Sequence, residues 1–179
     1  MGRKLLNQKT NMAFPKRPGA PMTSSQALER LARLCAASEH SRQEVVDRAV
    51  SWGLATSEAQ QVADRLVAER FVDDARFAPL FVRDKARLSG WGPVKIKMQL
   101  RAKGVADDIA TDALDAIDSE EWHEILKHAL AQKLRTTRKD DPAKLSASLT
   151  RFALQRGFDY PAVRKALNDM GQDGPEASE

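Results

Sequence analysis

Three glycines, Gly53, Gly104 and Gly157, lie 51 and 53 residues apart, and the apolar residues around them keep one register. Eight residues before each glycine stand Val45, Ile96 and Leu149; four before stand Ala49, Leu100 and Ala153. One after come Leu54, Val105 and Phe158, and six after come Ala59, Ala110 and Val163. Nine after are Val62, Ala113 and Ala166; thirteen after are Leu66, Ile117 and Met170. Steps of three and four place such positions on one face of a helix. A glycine at the shared point fits a helix end that needs a left-handed residue. Each unit therefore predicts helix, tight turn, helix. A tandem array of such units presents a long surface to a large partner rather than a small-molecule pocket.

Punctuation extends this to nine helices in three sets of three. Apolar residues at 27, 28, 31, 34 and 35 predict a helix from Gln26 to Ala37. Ser41 with Glu44, and Ser57 with Gln60, have capping-box spacing and predict the next two starts. Asp73 and Asp74 cap a helix to about Ser89, although Pro79 inside it removes a donor and predicts a late start or a kink. Gly92-Pro93 opens a helix ending at Gly104, and Asp107-Asp108 opens one to about Ile117. Ser119 caps the seventh, Asp141-Pro142 opens the eighth, and Pro161 lies at the start of the ninth. No stretch alternates with the two-residue period of a strand. The division is a flexible basic arm over 1–25, repeats over 26–72, 73–118 and 119–170, and an acidic tail over 171–179.

The formal net charge of +4 hides strong segregation. Residues 1–25 carry five basic side chains and no acidic one; residues 76–103 carry eight basic ones against Asp84 alone. Residues 104–126 then carry eight acids and no Lys or Arg, and residues 127–156 return to eight basic against two acidic. Blocks of this size predict surfaces of opposite sign, with solvated helix faces as the bland alternative. No apolar run approaches the roughly 18 residues of a membrane span. The single cysteine, Cys35, excludes an internal disulfide and lies on the stripe of Leu28, Leu31 and Leu34, so a buried thiol in a reducing cytoplasm is expected.

Residues 71–105 read FVDDARFAPLFVRDKARLSGWGPVKIKMQLRAKGV. Phe71, the Asp73-Asp74 pair, Arg76-Phe77-Ala78, Phe81-Val82-Arg83, and Gly90-x-Gly92-Pro93 with Ile96, Leu100, Lys103 and Gly104 resemble the signature of the RecX family, bacterial regulators of the RecA recombinase. His40-Ser41-Arg42-x-Glu44 is similar to that family's first-repeat motif. The resemblance covers roughly residues 26–168; Pro79 and Trp91 depart from the usual pattern. It implies an all-α fold of three tandem three-helix repeats in an elongated curved array. It also implies binding in the groove of the RecA–DNA filament, with loss of recombinase, ATPase and co-protease output.

The candidate partner- or DNA-binding residues are Arg76, Arg83, Arg87, Lys95, Lys97, Arg101 and Lys103, extended by Arg135 and Arg151; Lys133, Arg138, Lys139 and Arg156 belong to the same third-repeat set. Arg76, Arg83 and Arg87 are spaced by seven and four, one stripe of a helix, beside a core stripe of Phe77, Phe81 and Leu88. Two basic stripes fit phosphates or an acidic protein surface. The structural alternative pairs Arg83 with Asp73 or Asp84. The phenylalanines fall at core spacings rather than forming a base-stacking platform, and Trp91 is expected at the surface or over a repeat junction. Catalysis has little to build on. There is no glycine-rich phosphate loop with lysine, and His123 and His128 are five apart, about 140° around a helix, too far round to share a metal. No cofactor is expected, and monomer is the default. The rival reading is a helix-turn-helix protein acting directly on duplex DNA, its basic arm entering a minor groove.

Overall fold

The computed structural model describes residues 22–137 and 141–171. Among these residues the chain forms nine α-helices and no strand: α1 (Ser24–Ala37), α2 (Arg42–Ser51), α3 (Thr56–Ala68), α4 (Asp74–Arg87), α5 (Pro93–Ala102), α6 (Asp107–Asp115), α7 (Ser119–Thr136), α8 (Pro142–Gln155) and α9 (Tyr160–Asp169). They pack as three triples, α1–α3, α4–α6 and α7–α9. Every apolar position of the triple register is buried except Met170, which is partly exposed. Gly53, Gly104 and Gly157 have φ of 97°, 74° and 90°, the left-handed region that ends α2, α5 and α8.

Helix starts follow their caps, with corrections of one or two residues. Ser41 and Glu44 form the expected capping box, but the box of α1 is Thr23 with Gln26, so that helix begins inside the residues assigned to the arm. Ser57 and Gln60 do not cap α3; its cap lies two residues earlier, at Ala55, where the Glu58 carboxylate accepts from the Ala55 amide at 3.1 Å. Asp118, not Ser119, caps α7, accepting from the Glu121 amide at 2.7 Å. Pro79 does not delay α4. The Asp73 carboxylate fixes the start by accepting from the Ala75 and Arg76 amides at 2.9 and 3.2 Å, and the helix runs on through the proline.

The triples meet end to end through their middle helices. At the first junction the N-terminus of α2 abuts the C-terminus of α5, where the Ser41 hydroxyl donates to the Lys103 carbonyl at 2.9 Å. At the second, the N-terminus of α5 abuts the C-terminus of α8: the Gly92 amide donates to the Arg156 carbonyl at 2.7 Å and the Val94 amide to the Gly157 carbonyl at 3.1 Å. Donors of one helix start thus satisfy orphan carbonyls of another helix end, and the dipoles align head to tail. Three cores lie along this spine, and Trp122 and Ile125 pack against both the second and the third.

Candidate nucleic-acid and partner interface

α4 and α5 carry six of the nine candidate cations and Lys103 caps the end of α5; the structure sorts them by what they already touch. Arg76 is paired with Glu39 across the first junction. Arg87 is paired with Glu121 of α7 at 2.7 Å. Arg101 forms a two-pronged pair with Asp107 at 2.5 and 2.6 Å. Lys97 donates to the Thr111 hydroxyl at 2.9 Å, and Lys103 is paired with Glu44. Arg83, Arg135 and Arg151 are exposed and have no ion-pair partner among the described residues. The alternative that pairs Arg83 with Asp73 or Asp84 is therefore not what the fold does; its stripe neighbours Arg76 and Arg87 carry the ion pairs. Arg138 and Lys139 lie outside the described residues.

A second pattern ties α4 to α5. The Lys85 ammonium lies 5.4 Å from the Phe81 ring centre and 5.2 Å from that of Trp91. Lys95 covers Trp91 at 4.5 Å, and Lys103 lies 5.4 Å from Phe81. Three lysines over two half-buried rings form one basic-aromatic ribbon. Each ammonium gains from the ring quadrupole; those of Lys85 and Lys95 keep their outer sides available to an anion, while that of Lys103 is taken by Glu44. Lys85 is the functional candidate that reading by charge stripes misses; its position four residues after Phe81 on one helix was the available signal. Trp91, expected at the surface or over a junction, is half-buried on the second core. Leu88, expected in the core, is 83% exposed. The core stripe assumed a helix continuing to Ser89, but α4 ends at Arg87 and the chain turns at Gly90, which brings Trp91 onto that core instead.

The third triple presents a smaller version of the same device, with Lys133 and Arg156 5.7 and 4.8 Å from the Phe152 ring centre. Arg156 also donates to the Ser89 carbonyl, tying α8 to the end of α4. A groove of about 740 Å³ lies beside this contact, between the end of α4 and α7, with Leu88, Ile125 and Phe152 on its walls.

Two carboxylates at the first junction titrate away from their ordinary range. Burial pushes Glu44 up, but its bonds to the Lys103 ammonium, the Ser41 amide and His40 outweigh that and hold it below the usual value. Burial raises Asp74 more than the Arg42 amide, donating to it at 2.9 Å, can lower it. Burial, and then Glu39, push the Cys35 thiol up, so it stays a protonated core residue rather than a nucleophile. Among the described residues no group of three or more His, Cys, Asp or Glu is placed to hold a metal. No described helix is long and apolar enough to cross a membrane.

Comparison with known proteins gives one answer. The sequence matches the second three-helix domain of RecX over residues 73–114 and the third over residues 119–167. It is 38% identical to the regulatory protein RecX of Chromohalobacter salexigens over 136 residues, covering 75% of this chain and 86% of the relative. It is 34% identical over 132 residues to that of Prosthecochloris aestuarii, covering 74% and 85%. The fold matches the crystal structure of RecX from Lactobacillus salivarius with a TM-score of 0.69 at 21% identity, over 83% of this chain and 96% of that one. A second crystal structure of a regulatory protein RecX matches at 0.73 and 19%, over 82% and 73%.

Proposed function

Since this chain belongs to the RecX family of regulatory proteins, we propose that it binds the RecA–DNA filament and inhibits its recombinase, ATPase and co-protease activities. In this reading it acts without catalysis of its own, as a cytoplasmic monomer, and holds DNA only weakly and without sequence preference. The three helical triples serve as successive contact units along the filament. The observation that carries the reading is the basic-aromatic ribbon of Lys85, Lys95 and Lys103 over Phe81 and Trp91, with Arg83 exposed on α4 and without an ion-pair partner among the described residues. Cations spread along two helices suit an extended polyanion or a long acidic surface better than a small anion.

The rival reading, direct helix-turn-helix binding to duplex DNA, meets two obstacles. The N-terminus of α5 is already filled by the carbonyls of Arg156 and Gly157. α6, the last helix of its triple, opens with Asp107 and Asp108, which phosphates would repel.

The test compares two variants in inhibition of RecA's DNA-dependent ATPase across a salt series. Replacing Arg83, Lys85 and Lys95 together by Ala is expected to weaken inhibition strongly. If these side chains bind phosphates, the salt slope flattens by about 0.7–0.9 for each phosphate that is no longer neutralised. Replacing Arg87 and Arg101, which are already paired internally, is expected to weaken inhibition less. Wild-type potency from a folded triple variant would refute the ribbon as the binding surface.

A further inference from the structure

The two junctions occupy equivalent positions in the repeat and are built from different materials. Ser41 stands where Gly92 stands in the next unit, Glu44 where Lys95 stands, and Lys103 where Arg156 stands. At the second junction the contact is backbone on backbone. A Cβ on Gly157 would sit 2.5 Å from the Lys95 backbone nitrogen, and one on Gly92 would sit 2.5 Å from the Gly157 carbonyl carbon. The Arg156 guanidinium reaches across to the Ser89 carbonyl. Trp122 packs edge-on against Phe158, with ring centres 6.4 Å apart, and with Ile125 belongs to both neighbouring cores. α4 also packs along α7. Opening this junction would strip its backbone bonds and pull Trp122 and Ile125 away from one of the two cores they bridge.

The first junction has none of that apolar continuity. The first core shares no residue with the second. No helix of α1–α3 packs along a helix of α4–α6 to the extent that α4 packs along α7. The polar bonds across the first junction all depend on a side chain: the Ser41 hydroxyl to the Lys103 carbonyl, the Arg42 amide to Asp74, Glu44 to Lys103, and Glu39 to Arg76. Water can replace each of these when the surfaces part. The connection is also longer. Five residues, 69–73, separate α3 from α4, with Arg70 held at φ 62°, whereas three residues, 116–118, separate α6 from α7. The Glu69, Arg70, Phe71 and Val72 amides all donate back into the last turn of α3, so the link free to turn is the step from Val72 to Asp73.

We propose that the molecule is a two-body device: α4–α9 move as one rigid unit, and α1–α3 swing at the Val72–Asp73 step, latched shut by the Glu44–Lys103 pair. The latch cation is also a member of the ribbon, since Lys103 lies against Phe81. The opening angle of the first triple and the exposure of Lys103 therefore change together.

Native-state amide exchange of the full chain, followed by NMR, reads this directly. The Arg42 amide reports the first junction, and the Gly92 and Val94 amides report the second. The Val45 amide, which donates to the Ser41 carbonyl within the first turn of α2, reports fraying of that turn. The expected result is protection at Arg42 at least tenfold below that at Gly92 and Val94, with Val45 still protected. Lys103→Met is expected to lower Arg42 protection several-fold further and to leave Val45, Gly92 and Val94 unchanged. Equal protection at the two junctions in the wild type overturns the proposal. So does loss of Val45 protection in step with Arg42, because α2 would then be unwinding rather than swinging.

Discussion

The first and second junctions solve one geometric problem with different chemistry. In both, a helix start is set against a helix end just before a left-handed glycine, Gly104 in one and Gly157 in the other. The first fills the gap with side chains, Ser41, Glu44 and Lys103; the second closes it until backbone touches backbone through Gly92 and Gly157. A serine hydroxyl can bridge to a carbonyl at a separation where a side-chain-free start would leave a void. A glycine start permits approach close enough for the amide itself to reach. One residue type at one repeat position thus decides whether neighbouring units are joined through side chains or directly backbone to backbone.

The largest effect that separates the two is expected at the glycines. Gly157→Ala should destabilise by about 3 kcal/mol or more, because left-handed strain adds to overlap with the Lys95 backbone. Gly104→Ala meets only the Gln43 side chain, with Cβ at 3.0 Å, and should cost about 1–2 kcal/mol, mostly strain. Equilibrium denaturation of both variants checks the order; equal destabilisation would mean the two junctions are equally tight.

Next in size is the shared core. Trp122→Ala is expected to cost about 2–3 kcal/mol and to lower exchange protection in α4–α6 and α7–α9 together, since Trp122 packs on both cores. Phe71 packs on the first core alone, and Phe71→Ala should confine its effect to α1–α3. Effects spreading equally from both sites would erase the contrast.

The smallest effect is electrostatic and appears only in acid. Glu44 titrates below its ordinary value in the folded chain, so its contribution to stability is complete above the unfolded value. It is lost as pH falls through the depressed one. Asp74 titrates above its ordinary value and works the other way, returning stability as it is protonated. Glu44→Gln should therefore lose less stability than wild type as pH is lowered through the carboxylate range, and no equivalent change should appear at the Gly92–Arg156 contact. Chemical denaturation at a series of pH values measures the difference; parallel acid curves would show that Glu44 does not latch the junction.

What the sequence determines here is what a few neighbouring residues can settle among themselves. Helix type follows from a period of three and four, the starts from carboxylates and hydroxyls within three residues of an amide, and the ends from glycines that tolerate positive φ. That is why the core register was legible, and why the failures are local too: Ser119 yielded the cap to Asp118, Ser57 lost it to the Glu58 carboxylate reaching back to Ala55, and Leu88 fell beyond the end of its helix. Only the tertiary structure decided which cations are free. Arg87 meets its carboxylate 34 residues away, Arg76 meets one 37 away, and Lys103 meets one 59 away. Even Arg101 reaches Asp107 only because the turn at Gly104 folds α6 back beside α5. Charge and spacing place a cation on a helix face. Whether that face meets an acid, an aromatic ring or water depends on how separate helices are set against one another, and no local pattern carries that information.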